Sequence, residues 1–500
     1  MAPESTYTHA VAALTARGRG RMIPDLDRIH ALTALLGDPQ QAYPSIHVTG
    51  TNGKSSVVRM VSALCAASGI APGTYTSPHL QTVRERLAVA GQRISEPRFA
   101  ELYEEVALYA DLVDANLDRP DDHVTYFELV TAMAFAWFAD LPVDVAVVEV
   151  GMGGRWDATN VLNTAVAVLT PIDVDHRELG ATAVDVAAEK SGIIKAGADV
   201  VLGRQSDAVL AVIEAAAAEV GAPVRQWGTD HDVVDRKVAV GGQAMSLRVG
   251  SRVIEEIHLP LFGAHQADNA AVALAAFASL RGAGFDEVDD DVIRSGFAAV
   301  RVPGRLEVAA VEPTVLIDGA HNPHGARAAA AAVAEAFGFR NLIVVLACLD
   351  DKDVDGIISP FVAHAAHVVV TRAPSARAAS IERMQAAAES AFAGTGVVVE
   401  VGADLLEALD KATGVAGVGD GVLVTGSLFT VGAARDRYLP ITDHGEPELV
   451  LDDDDLDGEP DEAAEAVHDA EYTAALDDML EHADDDPMDD LGDGDIDPWA

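Results

Sequence analysis

The sequence predicts an α/β protein with a mostly parallel sheet, a small antiparallel section, a second and smaller α/β unit, and an acidic tail. Three observations carry this. Apolar β-branched runs alternate with stretches of helical periodicity over most of the 500 residues. The stretch Ser45 to Ser56, S-I-H-V-T-G-T-N-G-K-S-S, passes from a strand through glycines into a helix. Acidic residues outnumber basic ones 80 to 34; 25 of the acids fall within residues 441–500, and no Lys or Arg follows Arg437.

In chain order, Arg17 to Gly37 carries one helical pattern, Leu26, Ile29, Leu32, Leu35 and Leu36. Ile46 to Thr49 read as a short buried strand, which Gly50, Asn52 and Gly53 break. Lys54, Ser55 and Ser56 open a helix whose apolar positions are Val57, Val58, Val61 and Leu64. A strand, a glycine turn and a helix N-terminus make an anion site, because main-chain N–H groups converge there and the helix dipole favours negative charge. Lys54 adds a point charge for a β- or γ-phosphate, and a neighbouring hydroxyl can face Mg²⁺. The match is the short form G-T-N-G-K-S, since Val48 stands where the full pattern has its first glycine. A plain strand-to-helix turn is the competing reading.

Gly73 to Thr76 predict a short strand ending in Ser77-Pro78-His79, and Glu96 to Leu117 and Thr125 to Phe138 predict helices, the second carrying Glu128. Val143 to Val150 have the continuous apolar character of a central parallel strand. Glu149, near its end, either orders Mg²⁺ or is satisfied by backbone donors, because a bare buried carboxylate is costly. Gly151-Met152-Gly153-Gly154-Arg155 is not a dinucleotide fingerprint, since Trp156 occupies the place of the third glycine. These glycines instead let a loop approach a ligand. Val166 to Leu169 form another strand, and Asp173, Asp175 and His176 follow at the same sheet edge. Ala183 to Lys190 predict a helix whose final lysine suits the negative end of its dipole. Asp199 to Val220 repeat strand then helix. Asp232 to His258 alternate around Gly241-Gly242 and Gly250-Ser251, which predicts antiparallel strands. His265 to Leu280 and Asp286 to Val300 are helical, with Gln266 and Asn269 in the first turns of the former.

Arg301-Val302-Pro303-Gly304-Arg305 reads as a linker and a plausible hinge. Strands at Thr314 to Ile317, Leu342 to Leu346, His367 to Val370, Val397 to Val401 and Val422 to Val424 then alternate with helices, a compact parallel, Rossmann-like unit. Asp318-Gly319-Ala320-His321-Asn322 lies just past one strand, and Thr425-Gly426-Ser427 past another. The expected divisions are 1–302, 303–440 and 441–500, the last disordered because it repels itself and buries little.

Composition excludes several classes. A net charge of −46 opposes nucleic-acid binding. No run reaches the roughly 20 apolar residues of a membrane span, and the polar start has no secretory h-region. Cys65 and Cys348 lie far apart in apolar contexts, as in a reducing cytoplasm, and no Cys–His spacing suggests zinc.

Taken in order, G-T-N-G-K-S, T-S-P-H-L, E-V-G-M-G-G-R-W-D-A-T-N, D-H, E-K-S-G-I-I-K, H-Q-x-x-N-A, P-G-R-L-E and D-G-A-H-N-P-H-G strongly resemble the folylpolyglutamate synthases and their bifunctional form with dihydrofolate synthase, within the Mur ligase superfamily of ATP-dependent amide-forming ligases. The resemblance runs from about Arg19 to Tyr438. It implies a P-loop parallel-sheet ATPase domain with ATP phosphates on Gly50, Thr51, Asn52, Gly53, Lys54, Ser55 and Ser56. Where the family usually has glycine this chain has Ser55, so the hydroxyl role falls to Ser56. The resemblance further implies Mg²⁺ on Ser77, Glu149 and His176, a carbamylated lysine at Lys190, and Asn269, Arg305, Asp318 and His321 on the nucleotide. Lys54, Lys190 and His176 are the expected catalytic groups. Thr125, Tyr126, Phe127 and Glu128 with Trp156, Asp157 and Ala158 match the wall of a pterin site. The family more often has leucine at Met152 and Trp156, so Trp156 reshapes that pocket or stacks on a pterin ring.

The expected reaction joins L-glutamate to a folate or to dihydropteroate through an acyl phosphate, in a cytoplasmic monomer. Two alternatives stand beside it. One is a cell-wall Mur ligase, for whose extra N-terminal domain the stretch before Gly50 is too short. The other is a nucleotide-gated binding protein without ligase chemistry, against which the set Glu149, His176 and Lys190 argues.

Overall fold

The computed structural model describes residues 6–18, 25–117, 122–141, 143–174 and 177–441. Asp175, His176 and the acidic segment 442–500 lie outside the described residues.

Eight strands form the first sheet: β1 (Ser45–Thr49), β2 (Pro72–Tyr75), β3 (Leu87–Val89), β4 (Gln92–Arg93), β5 (Val145–Glu149), β6 (Thr164–Leu169), β7 (Asp199–Leu202) and β8 (Val224–Arg225). Their spatial order is β4-β3-β2-β5-β1-β6-β7-β8. From β2 to β8 every pairing is parallel. β1 and β5 are buried at every residue, as strands covered on both faces must be. Alternate residues divide between the faces. Ile46, Val48, Val145 and Val147 meet the helices Lys54–Ala67 and Ala264–Arg281, while Ala146 and Val148 meet the helix Tyr126–Asp140. The chain works on one side of β1 until β5 and on the other from β6 onward. The carboxyl ends of β1, β5 and β6 therefore border the crevice where open α/β sheets bind ligands.

The predicted antiparallel section is a three-stranded sheet of β9 (His231–Ala239), β10 (Gly242–Val249) and β11 (Arg252–Leu259). It packs Met245, Leu247, Ile254 and Ile257 into the same core as the helix Ala264–Arg281.

The second lobe is a six-stranded sheet of β12 (Glu307–Val311), β13 (Thr314–Asp318), β14 (Leu342–Leu346), β15 (Ala365–Val370), β16 (Val398–Val401) and β17 (Gly421–Thr425). The order is β12-β13-β17-β14-β15-β16. Helices cover both faces over two cores.

Three elements differ from the sequence expectation. The second lobe is not purely parallel: β12 pairs antiparallel with β13 at the edge. Its half-buried E-V-A-A-V lacks the continuous apolar run that marks the other strands. The β3–β4 hairpin turns on Ala90 and Gly91, both at positive φ, and its strands are too short to show a period. A helix at Thr6–Thr15 precedes the predicted one; it buries Tyr7, Ala10, Val11 and Leu14 at helical spacing, with alanine standing in for a larger apolar residue. Both cysteines are free and buried.

Candidate active site

The carboxyl ends of the two sheets face each other across a cleft of about 2460 Å³. That exceeds the roughly 300–1,000 Å³ of a single small-molecule pocket, so there is room for two substrates.

β1 runs into the phosphate loop. A Cβ at Gly50 would lie 1.8 Å from the Thr170 hydroxyl, and one at Gly53 2.5 Å from the Asn269 amide oxygen. Both are at positive φ, so the loop's path and its contact with Asn269 require glycine. Thr51 ties the loop to the segment after β6: its hydroxyl donates to Asp173 O (2.8 Å) and accepts from the Asp173 N–H (3.0 Å). Two ammonium groups converge beneath the loop. Lys54 Nζ donates to Gly50 O at 3.0 Å, and Lys190 Nζ donates to the same oxygen at 3.1 Å. Lys190 is 3% exposed, at the C-terminal end of its predicted helix. The glycines before Trp156 make this approach possible, since a Cβ at Gly154 would lie 2.8 Å from Lys190 O.

Glu149 ends β5 and is 1% exposed. Its Oε1 accepts from the Ser55 hydroxyl (2.8 Å) and its Oε2 from the Ser77 N–H (3.2 Å). Burial raises its pKa above the ordinary carboxylate value, opposed by the Lys54 ammonium, the Ser55 hydroxyl and the Ser77 N–H. The hydroxyl on this acid is thus Ser55, not Ser56. The two are successive residues of one helix, about 100° apart around its axis; Ser56 is 1% exposed and also lines the cleft. Glu149 with the Ser55 and Ser77 hydroxyls is a set of hard oxygen donors, which suits Mg²⁺ completed by phosphate oxygens. His176, the remaining expected ligand, lies outside the described residues. Among the described residues no group of three or more His, Cys, Asp and Glu gathers as a metal cage.

The second lobe contributes Arg305, Asp318 and His321. Asp318 accepts from the Leu306 N–H (2.9 Å) and the Ala320 N–H (2.9 Å), and burial raises its pKa against the nearby Arg305 guanidinium. His321 Nδ1 lies 2.8 Å from Gly319 O. Asn322 caps the helix Pro323–Ala336 and its amide donates to Asn52 Oδ1 at 3.1 Å, with His324 Nδ1 3.3 Å from Asn52 Nδ2. The lobes therefore meet at the phosphate loop itself.

The expected substrate wall behaves differently. Thr125 and Glu128 form a capping box for the helix Tyr126–Asp140, and Glu128 also accepts from Arg28 Nε (3.0 Å). Asp157 accepts from the Met152 N–H (2.9 Å) and from Thr159. Both carboxylates thus hold the scaffold. Ala158 is buried beside them, Phe127 packs against Gly151, and Trp156 lines the cleft with 42% of its surface exposed.

The sequence did not reveal Arg86. It is 1% exposed, donates from Nε to His79 Nδ1 (2.9 Å), and lies over the Tyr126 ring at 5.4 Å. Arg86 Nη2 and the Tyr126 hydroxyl are buried without a hydrogen-bond partner among the described residues, and both residues belong to the cleft wall, as do Ser77 and Phe127. The run V-R-E-R-L gives no sign of this, because burial of one arginine among charges leaves no periodic trace.

Comparison with known proteins agrees with this layout. Residues 48–277 match the family description "Mur ligase middle domain", and 304–428 match "Mur ligase, glutamate ligase domain". The dihydrofolate synthase/folylpolyglutamate synthase of Mycobacterium tuberculosis is 46% identical over 443 residues, covering 84% of this chain and 91% of that protein. A solved structure of the M. tuberculosis folylpolyglutamate synthase complexed with ADP superposes with a TM-score of 0.81 at 43% identity, over 88% of this chain and 99% of the other. A folylpolyglutamate synthase–AMPPCP–folate complex superposes at 0.73, with 30% identity over 86% and 99%.

Proposed function

The chain belongs to the Mur ligase family and, within it, to the folylpolyglutamate synthases, and on that premise we propose how its residues carry out the reaction. It is an ATP-dependent ligase that joins L-glutamate to the carboxylate of a folate, and also to that of dihydropteroate. The observation that carries this reading is the cleft itself. One end offers the phosphate loop, Lys54 and the Glu149 carboxylate held by the Ser55 hydroxyl and the Ser77 N–H. The other is aromatic, with the unpartnered donors of Arg86 and Tyr126.

A carboxylate is a poor electrophile because oxide would have to leave. Its oxygen therefore attacks the γ-phosphorus of ATP, ADP departs, and an acyl phosphate forms. The glutamate amine then attacks the acyl carbon, loses a proton, and phosphate departs. Such transfers need charge neutralisation and alignment more than covalent help. The main-chain N–H groups of Gly50 to Ser56 and Lys54 hold the phosphates. Arg305 approaches from the second lobe, with Asn269, Asp318 and His321 on the nucleotide. Glu149, Ser55, Ser77 and His176 would hold Mg²⁺, which supplies further neutralisation when bound. Phe127 and Trp156 offer faces to the pterin, and Arg86 with the Tyr126 hydroxyl backs that wall from within.

Carbamylation of Lys190 fits the same geometry. Two ammonium groups on one carbonyl repel each other, and addition of carbon dioxide to the Lys190 amine replaces one cation with an anion that can help hold the metal. The lobes, read as domains 1–302 and 303–440, close to keep water from the acyl phosphate.

The test supplies ATP, Mg²⁺ and labelled glutamate with dihydropteroate or tetrahydrofolate separately. ADP release is expected only when glutamate and an acyl donor are both present, with one new amide per ADP. ADP released without a new amide defeats the reading.

A further inference from the structure

Among the described residues the lobes are joined by an Arg236–Glu335 ion pair and by two sets of hydrogen bonds, and the two sets differ in kind. At the cleft, Asn52 meets Asn322 and His324 through single, partly exposed hydrogen bonds. Behind it, the loop that continues from Ser77-Pro78-His79 enters the second lobe. Leu80 belongs to that lobe's core, with Ile317, Val424, Val431 and Ala434. Gln81 is 2% exposed, and its amide is engaged on both sides. Nε2 donates to Asp436 Oδ1 (2.8 Å) and Leu439 O (3.2 Å), and Oε1 accepts from Arg435 Nη1 (2.6 Å).

The chain of bonds continues to the linker. Arg435 pairs with Glu307 at 3.0 and 3.1 Å, and Glu307 Oε2 accepts from the Gly304 N–H at 2.8 Å. Gly304 in turn sits against Leu80: a Cβ there would lie 3.1 Å from a Leu80 methyl and 2.7 Å from one of Val431. On its own lobe the loop is stiff, because the Glu85 carboxylate accepts from the N–H groups of Leu80, Gln81 and Thr82 at 3.0, 2.8 and 2.9 Å.

We propose that Gln81 is a positioning residue for the ligase reaction, the pivot that fixes the second lobe against the loop carrying Ser77. This deepens the ligase reading and rests on it. An apolar plug such as Leu80 resists separation but not rotation. A buried amide with three hydrogen bonds also fixes direction, and leaving its partners unsatisfied is costly. Gln81 is in the same rigid loop as Ser77, whose N–H holds Glu149. Through Arg435 and Glu307 it also fixes Gly304, the neighbour of Arg305. One side chain thus registers the groups expected on the two flanks of the triphosphate against each other. The Asn52 contact has no such network, and it is the one that yields when nucleotide enters.

The test is Gln81→Met, which keeps bulk and removes the three hydrogen bonds. AMPPCP still binds, because the phosphate loop is untouched, and its dissociation constant rises by no more than about tenfold, the share that closure adds to nucleotide affinity, while kcat for amide synthesis falls about tenfold or more through misalignment. The ratio of ADP released to amide formed rises above one, because a badly closed cleft admits water. Arg435→Met shows the same loss, and the Gln81→Met/Arg435→Met pair is no worse than either, as expected of groups acting as a unit. Arg435→Lys keeps the charge toward Glu307 and gives up the reach to Gln81; it serves where the first variant does not fold, and it also uncouples. A folded Gln81→Met or Arg435→Lys enzyme with unchanged kcat and one ADP per amide overturns the proposal, as do losses that multiply in the double variant. Wild-type protein that forms no amide defeats the ligase reading instead. Small-angle scattering then decides the pivot: AMPPCP compacts wild type and not Gln81→Met, and equal compaction of both overturns it.

Discussion

At the phosphate end of the cleft, main-chain atoms and the Lys54 side chain border the space a ligand would fill, with the Lys190 ammonium buried beneath the loop on the same Gly50 carbonyl. At the acyl-donor end, the acids that border the space already serve the scaffold: Glu128 caps a helix and pairs with Arg28, and Asp157 braces its own loop. The difference teaches that matching a family's substrate position does not commit a side chain's charge to the substrate. A phosphate loop is its backbone path, so the residues that define it are the ones that work. A pterin wall is a surface, and some residues are there to hold others in place. The unpartnered donors, Arg86 Nη2 and the Tyr126 hydroxyl, sit behind that wall.

Three substitutions separate the two ends. Lys190→Ala, at the phosphate end, should lose most ligase activity, on the order of 10³-fold if it removes an electrostatic group at the reacting centre. Its melting temperature should stay near wild type, and bicarbonate should not restore it. Labelled ¹³C-bicarbonate should give a carbamate resonance in wild type that the variant lacks. An active Lys190→Ala enzyme breaks the asymmetry between the ends.

Glu149→Gln should reduce turnover by about 10²-fold, because an amide is a weaker metal ligand and carries no charge. Its stability runs the other way. Burial holds the Glu149 carboxyl above its ordinary value of 4.5 in the fold. The folded state therefore keeps its proton to higher pH than the unfolded chain does, and metal-free stability is lost as pH rises from about 4.5 through the raised folded value. Glu149→Gln lacks this loss. Metal-free melting should place it above wild type at pH 8, with the gap narrowing as pH falls. A gap that widens toward acid pH would contradict the burial argument.

Glu128→Ala, at the other end, should act on the fold first. It removes half of a capping box and leaves the Arg28 guanidinium with one acid fewer, a loss of about 2–3 kcal/mol. Denaturant melting measures this, and KM for ATP should not move. If KM for the acyl donor rises tenfold with stability unchanged, Glu128 touches substrate and the two ends are more alike than the hydrogen bonds indicate.

Much of this was legible before any coordinates. The buried strands β1, β5 and β14, the helix that ends at Lys190, the three-stranded sheet and the phosphate loop each follow from a period or a turn signal within about fifteen residues. Hydrophobic spacing and glycine conformation act over that range. The edge strand β12 and the β3–β4 hairpin escaped because short, half-exposed strands carry no strong period. What needed the tertiary structure were the polar groups taken out of water: Arg86 over Tyr126, Ser55 rather than Ser56 on Glu149, and Gln81 bound to Arg435 from 354 residues away. Sequence pattern records which residues avoid water. It does not record which distant partner makes burial of an amide or a guanidinium tolerable, since that depends on how two separately folded sheets come together.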